Sequence, residues 1–179
     1  MYRLFNILQM TWKKNSGMRI EQVVVNASPL ICLCKSGLSN ILPSLFDEIV
    51  IPAPVYEEVT AKGDIEPDLI RLSASNRINK ADGIVIPTSI TAWDLGEGES
   101  SVVAFAIENP QFYAVIDDLE ARRCAIASGC RYTGTVGVIL LAKRRGIILS
   151  VKDCLFKLRS AGLWLSDDFI KAVCQKAEE

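Results

Sequence analysis

The chain has 179 residues, half of them hydrophobic, and its 20 basic and 21 acidic side chains leave a net charge of −1 with no histidine. That length suits one well-cored α/β domain and is short for two, and without histidine the usual mixed zinc sites are excluded. No stretch approaches the ~20 apolar residues that span a bilayer, and the early LFNIL is too short for a signal-peptide core, so a cytoplasmic protein with no membrane contact is expected.

Residues 1–19 look unlike the rest; they form either an extra N-terminal helix or a stretch ahead of a natural start at Met18, and the single domain is expected over 20–179. The first strand is read at 20–26, where Val23-Val24-Val25 stops at Asn26-Ala27-Ser28. A β-branched run ending abruptly in compact polar residues is the pattern of a buried parallel strand delivering side chains to its carboxyl-end loop. Ser28-Pro29 then opens a helix near 29–41, with Ser as cap and Pro in its first turn. Glu48–Pro52 reads as a short strand, and Pro54 opens the helix VYEEVTAK, stopped by Gly63. A helix near 66–75 leads to a strand at 84–87. The acidic loop Leu95-Gly96-Glu97-Gly98-Glu99 feeds a helix at 99–108, ended by Asn109-Pro110. A strand at 112–117 runs into a helix at 118–128, closed by Gly129; a short strand at 130–133 precedes a helix at 135–145. Helices near 151–161 and 166–177 finish the chain, the last starting at Ser166 with Asp167 and Asp168 in its first turn. Strands alternating with helices predict a mainly parallel central sheet covered on both faces, a three-layer α/β/α sandwich.

Charge is unevenly placed. Residues 1–118 carry 9 basic and 15 acidic side chains, whereas residues 119–159 carry 9 and 2, as an acid-centred site flanked by a phosphate-attracting surface requires. The six cysteines include no Cys-x-x-Cys pair and are expected to be buried, reduced thiols.

Open α/β sheets bind ligands outside the carboxyl ends of their strands. Asn26 and Ser28 end the first strand, Asp117 and Asp118 end the strand at 112–117, Glu99 lies at the first turn of a helix and Glu57 or Glu58 near the end of another, so that all can converge at one sheet edge. Carboxylates gathered without compensation repel one another. A divalent cation removes that conflict, and magnesium favours a few carboxylates with several waters. Metal-assisted phosphodiester hydrolysis needs no histidine, cysteine or lysine nucleophile.

Five motifs in register, VVVNASPLI, IPAPVYEEV, LGEGE, VIDDLEAR and GTVGVILLAKRRG, resemble a PIN-like branch of small prokaryotic proteins over about residues 21–172. The PIN domain is the fold of many metal-dependent ribonucleases, including the toxins of VapBC-type toxin–antitoxin pairs. The resemblance implies an endoribonuclease that uses Mg²⁺ or Mn²⁺, held by Asn26, Glu58, Glu99, Asp117 and Asp118, with Asp118 preferred of the pair. It implies supporting roles for Ser28, Glu57 and Glu97, and for Thr133 or Thr135 in holding a phosphate or a metal-bound water. Arg122, Arg123, Lys143, Arg144 and Arg145 are the expected RNA-backbone contacts. RNA, a small antitoxin and a second copy of the chain are the implied partners. Asn26 stands where typical PIN nucleases carry aspartate; an amide offers a carbonyl oxygen but no negative charge, which opens the alternative of a non-catalytic binding module. A phosphoacceptor reading of VIDD is weaker, because receiver domains place their acidic pair after the first strand. GCRYTGT lacks the lysine of a P-loop.

Overall fold

Five short parallel strands, β1 (Gln22–Val25), β2 (Glu48–Pro52), β3 (Ile78–Ala81), β4 (Tyr113–Val115) and β5 (Tyr132–Thr133), lie side by side in the order β3-β2-β1-β4-β5. The computed structural model describes residues 20–61, 68, 70, 72 and 75–179; the N-terminal extension and most of the helix expected near 66–75 lie outside these. Around the sheet, the described residues form helices α1 (Ala27–Lys35), α2 (Ile41–Leu45), α3 (Ala53–Ala61), α4 (Thr88–Thr91), α5 (Glu97–Glu108), α6 (Leu119–Ala127), α7 (Thr135–Arg144), α8 (Val151–Ser160) and α9 (Asp167–Lys176). They cover both faces, giving the three-layer α/β/α architecture.

The sheet is built from the centre outward. β1 pairs with both β2 and β4, placing Val24 opposite Val50 and Ala114. Val23, Val24 and Val25 are fully buried, which is why β1 reads as an unbroken apolar run rather than an alternating one. Among the described residues all six cysteines are unbridged, and five are buried. The described helices include none long and apolar enough to cross a membrane.

Three expected boundaries are corrected. The residue before α1 is Asn26, in extended conformation, so Ser28 lies exposed inside the first turn and is not the cap. α1 also stops at Lys35 instead of continuing to 41, because Gly37 turns the chain into the left-handed region (φ +68°) before the separate α2. The third strand is at Ile78–Ala81 and not at 84–87, which forms no strand. Ile84-Val85-Ile86 has the stronger β propensity, yet Val85 is 72% exposed. INKA instead pairs with β2 as an edge strand, whose outward Asn79 and Lys80 hide it from an apolar-run criterion.

At the amino edge of the sheet, basic side chains close the fold. Arg145 donates to the carbonyl of Leu45 and, at 2.8 Å, to that of Ile20, the residues leading into β2 and β1. Lys143 donates to Leu149 O at 2.7 Å and pairs with Glu179 at 2.6 Å. These two side chains, expected to meet RNA phosphates beside the acids, are instead bonded within the protein at the far end of α7. The reason is geometric: α7 starts at the carboxyl edge, and ten residues carry its last turn ~15 Å away.

The Glu179 carboxylate also accepts from Val151 N at 2.9 Å and Lys152 N at 3.2 Å, at the N-terminus of α8. Although its burial opposes ionisation, the Lys143 ammonium and these amides hold its carboxyl down at about 2, against an ordinary 4.5. A depressed acid stabilises the fold above its unfolded pKa, and the gain disappears as pH falls through the folded value. Glu179→Gln should therefore cost about 1–2 kcal/mol at pH 7, the scale of hydrogen bonds to a charged group. Denaturant melts of both proteins should converge between pH 4.5 and 2; a gap independent of pH would mean that the carboxylate charge contributes nothing.

Candidate metal centre at the carboxyl edge

Asn26 leaves β1 at the middle of the carboxyl edge, its amide nitrogen held by Val115 O at 3.1 Å. Its side chain is 3% exposed, and its Oδ1 has no hydrogen-bond partner among the described residues. A buried carbonyl oxygen left without a donor costs about 1–3 kcal/mol, so such an atom marks a place where something else binds.

Gly98 shows what lies opposite. A methyl group added to its Cα would sit 3.6 Å from Asn26 Oδ1, 3.5 Å from Glu58 Oε2 and 3.2 Å from Val55 Cγ2. The start of α5 thus approaches β1 and α3, tightly at Val55, and the amide oxygen and the carboxylate both border the space beside position 98. Glu99 follows, half-buried, with Oε2 accepting from Gly96 N at 3.3 Å, one half of a capping box. Burial first, then the charges of Asp118 and Glu58, push the Glu99 carboxyl above its ordinary value. Three carboxylates therefore share one field, and ionising Glu99 works against the fold.

The two adjacent aspartates have different surroundings. Asp118 is exposed and caps α6, accepting from Ala121 N at 2.8 Å with one oxygen. Asp117 turns inward. It accepts from Thr135 N at 2.9 Å and from the Thr135 hydroxyl, and pairs with Arg122 Nη2 at 3.0 Å. Arg122 is 9% exposed, and its Nε donates to Ile116 O at 2.7 Å. Gly134 makes this possible, since a Cβ there would overlap the guanidinium and lie 2.7 Å from Asp117 Oδ1. The network ties the ends of β4 and β5 to the starts of α6 and α7.

Several expected supporting residues are thereby relocated. Arg122 faces inward as the partner of Asp117, so it is not presented to an RNA backbone. Thr135 directs both its donors at Asp117, leaving neither for a phosphate, and Thr133 is buried in β5. Arg123 is exposed and paired with Glu120 at 2.5 Å; Arg144 is exposed at the end of α7, far from the acids. Ser28 and Glu97 are exposed on the first turns of α1 and α5, and Glu57 is exposed in the middle of α3. The structure thus brings together Asn26, Glu58, Glu99 and Asp118, with Gly98 as floor and Asp117 behind. The two glycines escaped the sequence reading, though both stand inside its motifs, GEGE and TGT.

Among the described residues no three acidic or thiol side chains lie at ready-made metal-ligand spacing, and Glu99 and Asp118 each turn one oxygen back onto a backbone N–H. The donor set nonetheless fits a hard divalent cation: an unsatisfied amide oxygen beside carboxylate oxygens, with neither nitrogen nor sulfur.

A family model described as a PIN domain matches residues 22–179, almost the whole described chain. No curated protein and no solved structure matches it. With a five-stranded parallel sheet, an acidic carboxyl edge and a family match over that span, the chain belongs to the PIN-domain family.

Proposed function

We propose that this protein is a metal-dependent endoribonuclease that hydrolyses RNA phosphodiester bonds, with water as nucleophile, and that it serves as the toxin-like member of a toxin–antitoxin pair. The observation that carries the reading is the buried, unpartnered Asn26 Oδ1 facing Glu58 across Gly98. In this reading Glu58, Glu99 and Asp118 hold Mg²⁺ or Mn²⁺ together with the Asn26 carbonyl, and Asp117 is a positioning residue that fixes the loop bearing Asp118. A bound divalent cation supplies charge for the scissile phosphate and a lowered pKa for water. Because Asn26 cannot carry a proton in this role, the carboxylates of Glu58, Glu99 and Asp118 are the groups available to orient the water and accept its proton. A small antitoxin would oppose these acids with a cation of its own, and the second copy implied by the family belongs to this proposal too.

The amide at position 26 favours a second reading, a non-catalytic RNA- or antitoxin-binding module. Thermal stability separates the two without knowledge of the substrate. Millimolar Mn²⁺ should raise the wild-type Tm, by the equivalent of about 2.7 kcal/mol at a hundred times Kd, and leave a folded Glu99→Gln/Asp118→Asn protein unmoved. Asn26→Asp should melt lower than wild type without metal, by roughly 1–2 kcal/mol from the added buried charge, and gain more from Mn²⁺. No shift in either protein would favour the binding module.

A further inference from the structure

We infer that the cleft on the β3 side of α3 is a nucleobase subsite, which holds a base adjoining the scissile phosphate by stacking on Tyr56 beneath Lys80. The inference rests on the ribonuclease reading for its ligand class. It concerns residues outside the acidic centre.

The cleft has a volume of about 300 Å³ and is lined by Ile51, Tyr56, Ile78 and Lys80. Its floor follows from register. Ile51 and Lys80 are directly paired across β2 and β3, as are Ile49 and Ile78 two residues earlier, so these side chains share one face of the sheet. The cleft runs along β3 from Ile78, its first residue, to Lys80, its last but one, so that its Lys80 end lies at the carboxyl edge, the rim of the acids. Tyr56, half-buried on the first turn of α3, forms the wall. The Lys80 ammonium sits 5.7 Å from the ring centroid and 3.1 Å from Asp82 Oδ1.

A slot with aliphatic floor, aromatic wall and cationic mouth matches a planar base with a phosphate attached. Stacking on an aromatic ring is tolerant of sequence, and a lysine answers the backbone charge. At 5.7 Å the ammonium is near the ~6 Å limit of a cation–π contact, and Asp82 shares it, so Lys80 can turn to a phosphate at small cost. Tyr56 and Glu58 are two residues apart on α3 and so face different sides of one helix turn. The helix width of ~10–12 Å then separates cleft from carboxylate, a span that a neighbouring nucleotide bridges.

The test is fluorescence anisotropy with a labelled ten-nucleotide single-stranded RNA, in EDTA so that cleavage does not intervene. Tyr56→Ala should weaken binding about tenfold, the lower part of the range for one lost stack, while Tyr56→Phe should match wild type. Lys80→Glu, an exposed substitution that leaves the core alone, should weaken it several-fold. Glu99→Gln should bind at least as tightly as wild type. If folded Tyr56→Ala and Lys80→Glu proteins both bind as wild type does, the subsite is refuted, even where the wild type cleaves RNA in Mn²⁺. If the two variants lose binding but no RNA is cleaved, the subsite stands and the nuclease reading fails. Competition by millimolar nucleoside monophosphate equal to that by the oligonucleotide would make the cleft a free-nucleotide site and overturn its assignment to RNA.

Discussion

Glu99→Gln and Asp118→Asn, made singly, should each lower Mn²⁺-dependent RNA cleavage at least a hundredfold while leaving the protein folded. A preorganised group facing charge that develops in the transition state is typically worth ~10²–10³ in rate, and a lost metal ligand removes the cation's contribution as well. Glu99 is half-buried between the charges of Asp118 and Glu58, so the amide relieves repulsion and the variant should melt no lower than wild type. Asp118→Asn keeps a capping oxygen for Ala121 N, and Asn caps helices nearly as well as Asp. Lost cleavage with an unchanged melting curve would thus locate the defect in chemistry. Retained cleavage in both variants would sink the assignment of these carboxylates.

The second large effect is on stability. Arg122→Met leaves the Asp117 carboxylate, about 14% exposed, with Thr135 as its remaining partner among the described residues. Breaking a buried pair from one side costs about 3–5 kcal/mol, which in a domain of this size lowers Tm by roughly 10 °C. Gly134→Ala should do nearly as much by a different route, since its methyl group displaces the guanidinium from Asp117. The double variant Arg122→Met/Asp117→Leu removes both charges and should recover part of the loss, the coupling that a double-mutant cycle measures. Calorimetry showing Arg122→Met as stable as wild type would refute the clamp. A loss of cleavage in Asp117→Ala is accordingly weak evidence that Asp117 touches the reacting atoms.

The sequence made the centre of the sheet legible because burial on both faces leaves an unmistakable trace: Val23–Val25 and Ala114–Ile116 are apolar without alternation. The same criterion failed at the edge, where the paired segment is INKA and the more apolar Ile84-Val85-Ile86 runs outside the sheet. The meeting of the acids at one rim was legible because polar residues that end parallel strands lie at the same sheet edge. The resemblance prefers Asp118 of the pair, but the inward bonding of Asp117 to Arg122 and Thr135 is set by packing and leaves no trace in the residue types. The basic cluster misled for a related reason. Arginine is rarely buried without a partner, so residue type alone suggests a surface contact, whereas Arg122 and Arg145 are each bonded to backbone carbonyls inside the fold.

The cysteines bear on which ion such a centre would admit. Burial raises all six thiols, Cys32 to about 11 and Cys34 to about 12, so at neutral pH they are protonated and poor ligands. No imidazole competes either. Zinc and copper, which bind nitrogen and thiolate more strongly than magnesium does, find neither presented to them. Discrimination among metals at the acidic rim would then lie less in the four residues that face the ion than in the softer donors that the rest of the chain keeps folded away.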